Sequence, residues 1–110
     1  MQNTQNINHM QKSSARIYLD QTRELVLKIF DNRCIMCGRP TKEVHEIVPI
    51  SHGKKYLAIK NRVPLCGHGS KHNHHDWAHR IGTRNSIPIL LEKRAEFLRK
   101  KWQGRLEITS

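Results

Sequence analysis

Long apolar stretches are missing from this sequence. No segment has the length or apolarity of a signal peptide or a membrane span, so the expected location is the cell interior, the cytoplasm by default. Cysteines number three, an odd count that cannot close into pairs and argues against a disulfide scaffold. Aromatic residues make up 5% of the 110 residues and hydrophobic ones 36%. A single small domain with so thin a core needs a staple, such as a metal or a partner. Acids are scarce too: 9 Asp plus Glu stand against 20 Lys plus Arg, for a formal charge of +11. Such a field favours phosphate polyanions, because binding releases their condensed counterions, and it draws DNA or RNA in quickly. The same charge fits a ribosomal-type protein or an anionic-lipid binder, and it does not separate binding from cleavage.

What is present is organised in short blocks. Residues 1–14 are rich in Asn and Gln and read as a flexible arm ahead of one domain over 15–104. Leu25, Val26, Ile29 and Phe30 fall at helical spacing and predict a helix over 15–31, with Asp20 or Thr22 as a cap and Asp31-Asn32-Arg33 as its stop. Residues 43–50 are rich in β-branched side chains and predict a strand ending near Pro49; residues 62–65 predict a second, edge strand carrying Pro64. Asn73 caps a short helix over 74–80, with Asp76 in its first turn. A last helix over 86–103 starts at Ser86, holds Pro88 in its first turn and ends at Gly104, with Leu91, Ala95, Leu98 and Trp102 as its apolar stripe. The fold class is therefore α+β: two short strands set among helices.

Cysteine spacing suggests metal. Cys34 and Cys37 form a CxxC, and Cys66 follows after 28 intervening residues. A tetrahedral zinc needs one further ligand, and His68, His72, His74 and His75 all lie within nine residues of Cys66. A redox CxxC would need neither the third cysteine nor the histidines. The chain holds eight histidines, and His75 and His79 stand at i and i+4 on the predicted short helix. That spacing sets two imidazoles on one face, about 6 Å apart, where they can share one ion.

In order and spacing, four blocks resemble the HNH endonuclease family: Cys34-Ile-Met-Cys37, Val44-His45-Glu46-Ile47-Val48-Pro49, Asn61-Arg-Val-Pro-Leu65-Cys66, and His74-His75-Asp-Trp-Ala-His79. The resemblance spans residues 22–80 and looks most like the small phage-type members. It implies a ββα-metal core over 34–80, clamped by a structural zinc knuckle, with one catalytic divalent ion between the first strand and the helix. Carried over by position, His45, His75 and His79 hold that ion, Asn61 fixes the loop and orients the base, and Cys34, Cys37, Cys66 and His74 hold the zinc. Two positions depart from the family's pattern. His74 stands where a fourth cysteine is usual, a set zinc accepts readily. Glu46 stands where the family has its histidine base; a carboxylate can accept a proton from water but is the weaker base near pH 7. An exchange of roles, with Glu46 as ligand and His45 as base, is also open, although neighbours on a strand face opposite sides.

The activity so implied is hydrolysis of DNA phosphodiester bonds with Mg2+, Mn2+ or Ni2+ as the ion, zinc also fitting. Lys54, Lys55, Lys60 and Arg62 between the strands, and Arg80 and Arg84 past the metal helix, are the expected phosphate contacts, of low sequence specificity, though the two arginines past the helix fit ordinary solvated roles equally well. Two alternatives belong to other classes: a zinc-stapled DNA-binding module without cleavage, and a small phage-type inhibitor that binds an acidic partner.

Overall fold

A computed structural model describes residues 14–67, 69 and 72–109 of the chain, with side chains as far as Gly104. Its elements run α1 (Ser14–Ile29), β1 (Val44–Glu46), β2 (Arg62–Pro64), α2 (His74–Ile81) and α3 (Thr83–Thr109), with three single 3-10 turns between the strands. The class is α+β, three helices around one antiparallel pair in which His45 stands opposite Val63 and Glu46 opposite Arg62. Apart from Ser14, which already begins α1, the arm expected over residues 1–14 lies outside the described residues. Among the described residues no helix is long and apolar enough to cross a membrane.

The stop after α1 works through two consecutive left-handed residues, Asp31 (φ 57°) and Asn32 (φ 58°). Their short polar side chains tolerate that conformation, and Asn32 N–H closes the helix end on the Leu27 carbonyl at 2.7 Å. Lys101 of α3 adds its ammonium to the same end, donating to Ile29 O at 2.8 Å and to Asp31 at 3.1 Å. Asp20 and Thr22 lie inside α1 and are not its caps; Thr22 Oγ1 donates back to Tyr18 O instead.

The core gathers Val26 and Phe30 of α1, Ile35 of the knuckle, Ile47, Val63, Leu65, Ala78 of α2 and Leu90 of α3, together with Cys34 and Cys66. Two helix faces differ from the predicted stripes. Leu25 is 47% exposed, whereas Leu27 is buried; on α3, Leu91 is 50% and Trp102 60% exposed, whereas Leu90 is fully covered. Buried Leu90, with half-buried Arg94, Phe97 and Lys101, follows the same four-three-four step one residue earlier, and Leu98 of the predicted stripe also packs against the core. Arg94 and Lys101 contribute aliphatic stems, with the Arg94 guanidinium 6.0 Å over the Phe30 ring. A pattern that counts arginine and lysine as polar picks the neighbouring face.

Three boundaries also move. The strand predicted over 43–50 is shorter, Val44–Glu46, with one further backbone bond at each end, Leu65 N–H to Glu43 O (3.2 Å) and Ile47 N–H to Asn61 O (2.8 Å), before the chain turns into the inter-strand loop. α3 starts at Thr83, three residues before the expected Ser86 cap; Ser86 is buried and its hydroxyl donates to Thr83 O at 3.1 Å. Gly104 does not end α3, which continues to Thr109. One glycine in an exposed helix costs about 1 kcal/mol, less than is needed to stop it.

Candidate functional site

The CxxC is a tight turn closed by Gly38 N–H donating to Cys34 O at 2.8 Å. Gly38 sits at φ 76°, a left-handed position that follows from the turn. Cys66 follows β2, and His74 opens α2, which Asn73 caps by accepting from Asp76 N–H at 3.0 Å, as its sequence predicts. These elements bring Cys34, Cys37, Cys66 and His74 into one group. Cys37 Sγ lies 3.7 Å from Cys66 Sγ, and His74 Nδ1 lies 3.7 Å from Cys34 Sγ and 3.2 Å from Cys66 Sγ. Around a zinc with bonds of about 2.3 Å to sulfur and 2.0 Å to nitrogen, tetrahedron edges measure about 3.5–3.8 Å; the two 3.7 Å edges match, and the shorter His74–Cys66 edge would open by a few tenths of an ångström to take the ion.

The backbone supports that set. Met36 N–H donates to Cys34 Sγ (3.4 Å) and His74 N–H to Cys66 Sγ (3.2 Å), bonds that favour thiolate. Burial pushes the Cys34 thiol up to about 11, so zinc must displace its proton on binding. Burial likewise lowers the basicity of His74, helped by His72 and Arg39. Of the other candidates, His72 is exposed and stacks on His74 at 5.7 Å between centroids. His75 turns elsewhere, and His68 lies outside the described residues.

A second group lies one residue along α2. His45 of β1 meets His75 and His79, with ring centroids 5.1 and 5.3 Å away and both rings nearly perpendicular to its own. The two helix rings stack at 5.1 Å, as their i, i+4 spacing predicts. One nitrogen from each comes within 4.8 Å of the others. Burial, then the charges of His75 and His79, lower the His45 pKa from 6.5 to about 4. His45 is therefore a neutral imidazole at pH 7, the form in which histidine ligates metal. Three convergent imidazole nitrogens are a donor set that suits first-row divalent ions.

The three rings open onto a cavity of about 320 Å³ also lined by Glu46, Pro49, Thr83 and Ser86. Glu46 is among the residues lining the histidines' cavity but is not one of their ligand group. Asn61 does not line it. Its side chain donates to Val48 O (2.8 Å) and Tyr56 O (2.9 Å) and accepts from Val48 N–H (3.0 Å), clamping the inter-strand loop beside the end of β1.

The cations divide in the same way. Lys54, Lys55 and Lys60 are exposed on that loop, and Arg84 is exposed beside the cavity-lining Thr83. Arg80 is exposed and paired with Asp76 at 2.9 Å. Arg62 is a correction to the expected phosphate contacts: it is 3% exposed and bonds Thr22 Oγ1 (2.7 Å) and Leu19 O (3.0 Å), tying β2 to α1. Buried against α1, its fork finds a helix rather than solvent.

Sequence reasoning missed Glu43, whose carboxylate lies 3.0 Å from His75 Nδ1. Its signal was available: two residues before His45 in extended chain, it shares that histidine's side of the strand. Comparisons with family models, with curated proteins and with solved structures give no match for this chain.

Proposed function

We propose that this chain is a metal-dependent, HNH-type endonuclease that hydrolyses DNA phosphodiester bonds with a single divalent ion. The observation that carries this reading is the convergence of His45 from a strand with His75 and His79 from the following helix, beside a separate Cys3His group. Two antiparallel strands followed by that helix agree with the ββα-metal arrangement that the sequence resemblance implies.

His45, His75 and His79 would hold Mg2+, Mn2+, Ni2+ or zinc, which when bound supplies Lewis-acid stabilisation of charge developing on a phosphate oxygen. Glu46 would take a proton from the attacking water; in support, it borders the cavity and is not one of the ligand cluster. Asn61 acts at one remove, holding Val48 and the loop so that Glu46 keeps its place at the strand's end. Lys54, Lys55, Lys60 and Arg84 supply exposed positive charge for the DNA backbone, which binds without reading bases.

The test is nicking of supercoiled plasmid by the purified protein in EDTA, Mg2+, Mn2+, Ni2+ and Zn2+. Nicking that needs a divalent ion and disappears in His45→Ala and His79→Ala is the expected result. Glu46→Ala should slow it by about 100- to 10,000-fold, the range for loss of a general base. Salt-sensitive DNA binding without nicking in any ion would replace this reading by a zinc-stapled binding module, the alternative that a carboxylate at the base position favours.

A further inference from the structure

Glu43 and Gly67 take no part in the mechanism above, yet they meet beside it. Gly67 is buried and its φ is not positive, so its backbone does not call for glycine. The space favours it only while Glu43 stays where it is: a Cβ built on Gly67 would overlap the Glu43 carboxylate, the far end of a side chain that would have to move aside. That carboxylate, seated in the vacated volume, reaches His75 Nδ1. The seat is built from the segment that carries Cys66. Leu65 N–H donates to Glu43 O (3.2 Å), and His75 N–H donates to Cys66 O (2.9 Å). Thr41 Oγ1 donates to Leu65 O (3.0 Å) and accepts from Glu43 N–H (3.1 Å).

We propose that Glu43 is a positioning residue for the three-histidine site, seated in the space that Gly67 leaves. An ionised carboxylate only accepts hydrogen bonds, so Nδ1 of His75 carries the proton and Nε2 keeps its lone pair for an ion. Because the Cys66–Gly67 segment forms the seat, the Cys3His group sets the geometry of the second site as well as holding its own ion. This inference rests on the metal reading of His45, His75 and His79, and it adds the group that fixes which nitrogen of His75 faces the ion.

The test uses the full-length, zinc-loaded protein, with zinc content checked in every variant. Long-range 1H–15N correlation reads the His75 tautomer without a second ion, and Co2+ titration reads affinity at the histidines. The wild type should show the Nδ1–H tautomer. Glu43→Ala and Gly67→Ala should each lose it and weaken Co2+ binding about 10- to 100-fold, the usual effect of removing an outer-shell partner. The double variant should be no weaker than Glu43→Ala, since the alanine at 67 then has nothing to displace. Glu43→Gln, which keeps an acceptor oxygen, should retain the tautomer and most of the affinity. An Nε2–H tautomer in the wild type, or an unchanged one in Glu43→Ala, overturns the inference whatever the triad binds. The Nδ1–H tautomer in a wild type that takes up no Co2+ overturns the metal reading of the triad and the positioning role with it, and leaves only the Glu43–His75 bond. If Gly67→Ala fails to retain zinc, the two Glu43 variants decide.

Discussion

His45 is the residue on which fold and site make opposite demands. It is buried beside two other histidines, which holds its pKa near 4 instead of 6.5. Between those values an unfolded chain binds a proton that the folded one refuses, so acid favours unfolding. The cost is absent above pH 6.5 and complete below pH 4, where a shift of this size is worth about 3 kcal/mol. Urea unfolding of zinc-loaded protein without a second ion should therefore show stability falling from pH 6.5 downward. His45→Gln should flatten that fall, and equal dependence in both proteins would discard the account. Proton demand at Cys34 runs the other way. With its thiol pushed up to about 11 by burial, zinc uptake at neutral pH should release protons into the medium, which calorimetry in buffers of different ionisation enthalpy would count.

Between the strands, the loop and its flanks give neighbouring basic residues unlike roles. Arg62→Ala removes a buried fork that joins β2 to α1 and should cost about 3 kcal/mol of stability, since bonds from a charged donor are worth about 1.5–3 kcal/mol each. Lys54→Ala, Lys55→Ala and Lys60→Ala should leave the unfolding midpoint in place. Each that touches a phosphate should instead lower the salt dependence of DNA binding by about one unit of slope. A titration that moved Arg62→Ala only in DNA affinity would reverse this assignment. Elements were legible where local chemistry decides them: the Asn73 cap, the Asp31-Asn32 stop and the i, i+4 histidines. They were not legible where packing between elements decides. The inward turn of Arg62, the register of α3 with its buried Arg94 and Lys101 stems, and the seat of Glu43 against Gly67 all depend on residues far apart in the chain. The site was readable as two convergent side-chain groups that could hold ions, and strand spacing put Glu43 on the side of His45, whereas its seat against Gly67 needed three dimensions.

The whole molecule has one core, and two zinc-type ligands, Cys34 and Cys66, are members of it. Removing the ion should therefore unfold the domain rather than free a peripheral loop. Chelation should abolish near-ultraviolet dichroism and slow-exchanging amides in α1 and α3 together, with one zinc lost per chain on elemental analysis. Survival of the α1–α3 packing without zinc would mean that apolar burial alone suffices at this size, against the expectation for so thin a core. His74 and His75 are neighbours in sequence, one in each ligand group. A single peptide link, about 3.8 Å between Cα atoms, thus joins a side chain of one group to a side chain of the other. That makes the pair a built-in spectroscopic ruler. A cadmium nucleus in the cysteine site would lose its resonance as soon as a paramagnetic ion settled among the three imidazoles, and each centre would report the occupancy of the other.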